Sequence, residues 1–398
     1  MSKKIAIIGG GAGGFFTAIN TAIKNPDYQI TIFEKGKNVL GKVKVSGGGR
    51  CNVTHACFEP KELVKFYPRG QKELLGPFHT FMTGDTFEWF AERDINIKIE
   101  DDGRCFPDTD RSQTIIDCFL KEARDLGIKI RMEYRISEFK PQGDKWLVDN
   151  MEYDALVVAA GGNASDIWEN LVALDYEIIP PIPSLFTFNT KDTRLRDLSG
   201  LSVPRAEVKI AGTKRSEIGP LLITHWGMSG PAILKLSAVG ARDLHNQDYK
   251  FNILVDWCFE HDREDVEKEF ENYRYAHSKK TVLKSYLFEL PKRLWESLVL
   301  DCKIPESKTW AELSKKDQNK LLENLKAGSF QIGGKSTNKE EFVTCGGVDL
   351  KQVNFQKFES RKHPNLYFVG EVLNIDALTG GFNFQAAWTG GYIVSQNI

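Results

Sequence analysis

Paired cysteines, an excess of one charge and long apolar runs are all missing from this sequence, and each absence narrows the field. Its seven cysteines, at 51, 57, 105, 118, 258, 302 and 345, are odd in number, scattered and never spaced C-x-x-C. Free thiols in a reducing cytoplasm are therefore expected, with neither a disulfide framework nor a metal site. With 53 basic and 54 acidic residues the formal net charge is −1. No basic stripe interleaved with aromatics stands out, so no nucleic-acid partner is expected. No stretch approaches the ~18 consecutive apolar residues of a membrane span. The run Ile5 to Ile8 is too short for the core of a signal peptide. A cytoplasmic, membrane-free chain is expected, long enough for roughly two to three domains.

Glycine, in contrast, is plentiful and clustered. "KIAII", Lys4 to Ile8, reads as a short buried strand, followed by Gly9-x-Gly11-x-x-Gly14 and a helical pattern from Ala12 to Ile23. "QITIFEK" is a second strand ending at Glu34, twenty residues after Gly14. This is the strand–turn–helix–strand–acid order of a Rossmann dinucleotide site. Bare backbone admits a pyrophosphate, the helix N-terminus offers N–H groups and a positive dipole end, and the carboxylate accepts from a ribose. An acid there repels a 2′-phosphate, which favours FAD or NAD over NADP.

The C-terminal segment separates those two. "NLYFVGEV" reads as a strand ending at Gly370-Glu371, and "TGGFNFQAAWTGGYIV" opens a last helix from two glycines. A second glycine-opened helix suits a cofactor with two ends, its N-terminus facing the place where charge gathers on a reduced flavin. Between the two ends, "TDRSQTIIDCFLKEARDLGIKI" reads as a crossover helix. Its apolar side is Ile115, Ile116, Phe119, Leu120, Ala123 and Leu126, and Gly127 stops it. "EYRISEF", "KWLVD" and "YDALVVAAGG" read as three strands.

These phrases, with "SGGGRCN" (Ser46 to Asn52), "THWGMSGP" (Thr224 to Pro231) and "CGGVDL", resemble the bacterial HI0933-like flavoproteins over essentially the whole chain. That family includes aminoacetone oxidase-type and bile-acid 3-dehydro-Δ4,6-reductase-type enzymes. The resemblance implies FAD, its AMP half on Gly9, Gly11, Gly14 and Glu34. Arg50 and Asn52 would lie along the pyrophosphate and flavin. Gly370 and Glu371 would meet the ribitol and phosphate, and Gly380, Gly381, Phe382 and Asn383 the pyrimidine edge. The full cofactor-binding set adds Ala12, Lys35, Lys42, Ser46, Gly48, Ala160, Gly161 and Asp376. The chain departs from the family in the short "NASDIWENLVAL" after "AAGG", and in Asn374 and Ala377, where Asp and Gly are common.

From about Ile182 the texture changes. "AEVKIAG" and "KFNILVDW" alternate like strands of a small β domain. Residues 263–326 turn helical and charged, with "VLKSYLFELPKRLWESLVL" amphipathic. The expected fold is α/β. A Rossmann-like FAD-binding domain of the glutathione-reductase type (1–185 and 344–398) holds an inserted β-rich, barrel-like domain (186–260 and 327–343), which carries a helical subdomain (261–326). "GGKST" is not a phosphate-binding P-loop, because Ser329 stands where that motif needs glycine. No catalytic residue declares itself. His225 is a candidate weighed against a hydrogen-bonded structural histidine, while Trp226, Met228, Cys51 and Cys345 read as packing residues. The resulting expectation is an oxidoreductase transferring hydride at flavin N5 to a small-molecule substrate, linked to NAD(P)H that docks transiently. An O₂-using amine oxidase and a non-catalytic flavin-binding redox sensor are the alternatives. A flavin-dependent RNA-modifying enzyme fits the fold but not the near-neutral charge. Substrate identity and oligomeric state are not legible.

Overall fold

In the computed structural model, which describes residues 2–162, 164–337 and 343–398, the chain divides into two compact units, 1–183 with 339–398, and 184–338. The first is organised around the strand Lys4–Ile8, whose last four residues are buried. It pairs in parallel with Gln29–Phe33 on one side and Ala155–Val158 on the other. Lys129–Arg131 and Leu366–Phe368 extend the parallel sheet on either flank. Two short antiparallel strands, Val353–Asn354 and Glu359–Ser360, complete its seven strands. Continuous apolar runs such as "ALVV" are what strands covered on both faces require.

The helices Ala12–Lys24 and Phe382–Asn397 pack closely. A Cβ on Gly391 would lie 3.0 Å from Thr17 Oγ1, so glycine lets the two backbones approach. Around them Phe16, Trp89, Phe119 and Trp388 form an aromatic core, with Phe16 centroids 4.8 Å from Trp89 and 5.1 Å from Trp388. The crossover helix is Ser112–Asp125, and Gly127 follows it at φ +68° as the expected stop. Ile115, Ile116, Phe119 and Ala123 are buried, but Leu120 and Leu126 are exposed. Leu120 lies a further 100° round from Phe119, and Leu126 caps the helix beyond its last buried turn.

"EYRISEF" is not a strand before its last residue. The Glu133 and Tyr134 N–H groups donate to Gly36 O and Glu34 O, and those of Ser137 and Glu138 donate to the Asp149 carboxylate. With these four donors committed elsewhere, the segment does not form a ladder. The meander instead runs Phe139–Gln142, Lys145–Val148 and Met151–Tyr153. The proline-rich strand Ile178–Ser184 pairs on one side only, with Val343–Val348, which suits residues lacking N–H donors.

The second unit is a closed six-stranded barrel: Thr187–Asn189, Gly227–Ser229, Ser216–Ile223, Ser202–Ile210, Lys250–Asp256 and Gly328–Ser336. Pro204 falls at the register shift between Val203 and Ala206, where no ladder bond is lost. Lys335 of "GGKST" lies within the last strand, opposite Phe188. The helices Arg263–Ala276, Lys292–Asp301 and Lys315–Ala327 share one apolar cluster with the barrel. The amphipathic stretch 282–300 is broken by Pro291, which serves as N-cap of Lys292–Asp301. Its tryptophan Trp295 is buried with Nε1 donating to Val282 O at 3.0 Å.

Arg194 fastens this unit together. It grips Asp192 through Nε at 2.9 Å and Nη2 at 2.7 Å, donates to Asn324 Oδ1 at 2.7 Å and to Ser329 O, and lies 3.8 Å over the Phe330 ring. Burial pushes the Asp192 carboxyl upward, but its bonds to Arg194 outweigh that and hold it below the ordinary value. Arg194→Ala is expected to cost about 3 kcal/mol of unfolding free energy, read by denaturant titration at neutral pH. Because the folded-state value is lowered, the Asp192 contribution is present above the ordinary carboxylate range and lost as pH falls through the lowered value. The deficit of Asp192→Asn should therefore shrink in acid.

Candidate functional site

The parallel strands of the first unit end together, and the residues singled out by the sequence follow those ends. Gly9 follows Lys4–Ile8, Glu34 follows Gln29–Phe33, Ala160 and Gly161 follow Ala155–Val158, and Gly370 follows Leu366–Phe368. Ligands of open α/β sheets bind outside the carboxyl ends of such strands. Gly9, Glu34, Lys35 and Ala160 line one small cleft of about 60 Å³, together with Tyr134, Arg135 and Ala164. Tyr134 and Arg135 were not anticipated, because they come from the segment misread as strand. Glu34 accepts from Gly10 N at 2.9 Å and Gly36 N at 2.7 Å, so its carboxylate also pins the loops on both sides. Gly11 is the N-cap of the first helix, with no side-chain cap ahead of Ala12.

"KVSGGGRCN" is a helix that breaks into left-handed backbone. Ser46 is extended, and Gly47, Gly48 and Gly49 have φ of 58°, 69° and 86°. Three successive glycines tolerate this where side chains would clash. Ser46 Oγ donates to Val43 O at 3.0 Å. Arg50 does not stand free: it donates to Glu100 at 2.5 Å, lies 3.4 Å from Asp110 and sits 3.9 Å over the Phe106 ring. The hydrogen bond to Glu100 raises its already high pKa. Asn52 Oδ1 accepts from Cys105 N at 3.3 Å. Cys51 is buried, and burial pushes its thiol up to about 12. None of the seven cysteines forms a disulfide, and six of them are buried.

The C-terminal residues meet this loop. Lys42 forms an ion pair with Glu371. A Cβ on Gly381 would be 2.5 Å from Thr54 O, and one on Gly380 would be 3.3 Å from the His55 ring. His55, Phe66 and Phe382 stack, with centroids 4.6 Å apart for His55 and Phe382 and 4.2 Å for Phe66 and Phe382. Asn383 Oδ1 accepts from Ala377 N at 3.0 Å, so it ties the preceding loop back onto the last helix. Fully buried Asp376 is clasped by Arg69, with Nε to Oδ1 at 2.6 Å. Burial works against the Arg69 charge, but Asp376 outweighs it and raises the pKa. Arg69 and His55 went unnoticed in the sequence because no local pattern marks them.

His225 belongs to the second unit. It is exposed, and among the described residues its ring has no hydrogen-bond partner, contrary to the expected hydrogen-bonded histidine. Met228 is buried as expected, but Trp226 is 68% exposed and is not a core residue. The alternation across the strand Gly227–Ser229 turns Met228 inward, while Trp226 lies in the turn before it.

A doubly flanked parallel sheet with glycine-lined strand ends, joined to a β-barrel unit, defines a Rossmann-type FAD-binding oxidoreductase. The sequence model described as "HI0933-like protein Rossmann domain" matches residues 3–397, and the chain belongs to that family. The chain is 30% identical to the ribosomal RNA dihydrouridine synthase of Haemophilus influenzae, over 98% of this chain and 97% of that protein. It is 28% identical to the Escherichia coli K12 protein of the same name, with 98% and 97% covered. It is 25% identical to the 3-dehydro-bile acid Δ(4,6)-reductase of Clostridium scindens, with 99% and 98% covered. Among the described residues no helix is long and apolar enough to cross a membrane.

The residues present fit a dinucleotide. An added Cβ would meet nothing within 4 Å at Gly11, Gly48 or Gly161, whereas at Gly9 and Gly14 it would strike backbone at 2.3 and 2.0 Å. The first three glycines border open space, and the other two hold the turn closed. Gly11→Ala should therefore keep the thermal stability of the apoprotein while weakening FAD binding about tenfold or more. Gly14→Ala should lower the melting temperature even without FAD. In a separate test, a thiol reagent at pH 8 should modify Cys57 quickly and the six buried thiols only after denaturation. Rapid labelling of Cys51 would contradict its burial.

Proposed function

We propose that the protein is a flavin-dependent reductase of a ring carbon–carbon double bond conjugated to a carbonyl, driven by NAD(P)H. The observation that carries this reading is the end-to-end match to relatives whose names both denote saturation of such a bond. Dihydrouridine is uridine with its ring double bond reduced, and Δ(4,6) denotes two ring double bonds. In this reading the AMP half of FAD rests on Gly9, Gly11, Ala12, Gly14, Glu34, Lys35, Ala160 and Gly161. Lys42, Ser46, Gly48 and Arg50 follow its pyrophosphate. Asn52, Gly370, Glu371, Asp376 and Gly380 to Asn383 surround the flavin end. Bound there, FAD supplies hydride chemistry at N5.

The chain's own residues do the rest. With FAD bound, N–H groups at the start of Ala12–Lys24 would receive the phosphates, and those at the start of Phe382–Asn397 would meet the flavin end. The Arg69–Asp376 clasp and the Asn383–Ala377 bond keep the loop between them in one shape. Reduction of a double bond consumes one proton beside the hydride, and His55, beside Gly380 and stacked on Phe382, is the proposed donor.

The expectation of no nucleic-acid partner rested on a net charge of −1 and on the lack of a basic stripe interleaved with aromatics. That balance divides unevenly: residues 184–338 carry 25 basic and 21 acidic side chains, the remainder 28 and 33. Overall neutrality is thus no argument against RNA, and a uracil ring in RNA stands beside a free cyclic enone as substrate.

The decisive experiment mixes the yellow protein anaerobically with NADH or NADPH, then with a uridine oligonucleotide or a steroid 4,6-dien-3-one. A nicotinamide should bleach the flavin, and one unsaturated substrate should restore its colour without oxygen. His55→Gln should slow the recolouring at least tenfold and leave bleaching unchanged. A flavin that neither nicotinamide reduces would overturn the reading, and recolouring by O₂ alone would favour an oxidase.

A further inference from the structure

Four polar side chains meet in the interior of the first unit away from water: Gln385, Thr54, Thr86 and Thr389 are each 0% exposed. Thr54 Oγ1 donates to Gln385 Oε1 at 2.6 Å. The Thr86 hydroxyl, 3.0 Å from that same oxygen and 3.1 Å from Met82 O, divides its proton between them. Gln385 Nε2 donates to Thr389 Oγ1 at 3.3 Å. A buried amide without partners is costly, whereas a satisfied one holds its neighbours in a single arrangement. A methionine of similar length would fill the space with no such demand. The amide therefore contributes fixed geometry rather than apolar packing.

What the network joins decides its use. Gln385 sits in the first turn of Phe382–Asn397, where its own N–H donates to Gly381 O at 3.1 Å. Thr54 belongs to the short strand Thr54–His55. Thr86 belongs to the helix Thr83–Ala91, whose first residue donates through Oγ1 to His55 O at 3.1 Å. The strand, this helix and the last helix thus form a closed triangle of side-chain bonds. His55 stands at one corner, its ring stacked 4.6 Å from that of Phe382, the residue that opens the last helix. One turn beyond Gln385, Trp388 Nε1 adds a bond to Val53 O at 3.0 Å. With these bonds made, the strand cannot slide along the helix without breaking buried polar contacts.

We propose that Gln385 is a positioning residue: from inside the core it keeps the His55 ring in register with the start of the last helix. The inference rests on the reductase reading for the role of His55, and deepens it by naming what holds that ring in place. Gln385 itself meets neither cofactor nor substrate in this assignment.

The test follows the histidine ring signals by NMR after isotope labelling of the seven histidines. The His55 signal is the one lost in His55→Gln. Gln385→Met should move it, with and without FAD, and leave the others in place. In the FAD-loaded protein Gln385→Met should slow recolouring of the reduced flavin by the unsaturated substrate about fivefold or more, with bleaching by the nicotinamide unchanged within about twofold. Because the effect passes through His55, adding Gln385→Met to His55→Gln should slow recolouring by no more than about a further twofold. Thr54→Val removes the same bond from the strand side, should give the same pattern, and serves where Gln385→Met fails to fold. An unmoved His55 signal, or slowing that multiplies in the double variant, overturns the proposal. Wild-type protein that never recolours with either substrate sinks the reductase reading, while the His55 signal still decides whether Gln385 positions that ring.

Discussion

Everything in the first unit depends on how closely the backbone can pack where the first strand turns into the first helix. Gly14 lies so near Gly9 that a single methyl would sit 2.0 Å from a carbonyl oxygen, and one on Gly9 would sit 2.3 Å from Ala159 O. This contact draws the helix onto the strand end and sets its N-terminal N–H groups at the edge of the sheet. Glu34 extends the constraint by bonding Gly10 and Gly36 at once. The open space beside Gly11, Gly48 and Gly161 exists because the neighbouring glycines are packed so tightly.

The second glycine loop works differently. In "SGGGRCN" the glycines supply left-handed backbone, and Cys51, also at positive φ, is buried after them. Arg50 leaves the loop to meet Phe106, Glu100 and Asp110, so part of its charge is spent on holding the segment. Cys51 is buried, and burial raises its thiol to about 12, which accords with a packing role.

The second unit has a different economy. Its barrel and helices share one apolar interior, and Arg194 links the segment around Asp192, the helix Lys315–Ala327 and the last strand. With those contacts satisfied inside, the barrel can hold Trp226 outward on a short, hydrogen-bonded turn.

Local order was legible in the chain itself. The strands "KIAII" and "QITIF", the helix after the glycine turn, the stop at Gly127 and the last helix opened by Gly381 each follow from neighbours in sequence, because periodicity and backbone freedom are local properties. Where the sequence misled, a distant partner had claimed the backbone or the side chain. The N–H groups of Glu133, Tyr134, Ser137 and Glu138 go to Gly36, Glu34 and Asp149, and Pro291 divides what looked like one amphipathic helix. Arg69 finds Asp376 from 307 residues away, and His55 meets Phe382 in the same region. Burial of Met228 and exposure of Trp226, two residues apart, depend on which strands close the barrel. Sequence alone determined the elements and their glycine turns; tertiary structure decided which side chains face one another across the site, since only three-dimensional pairing brings such distant residues within a few ångströms.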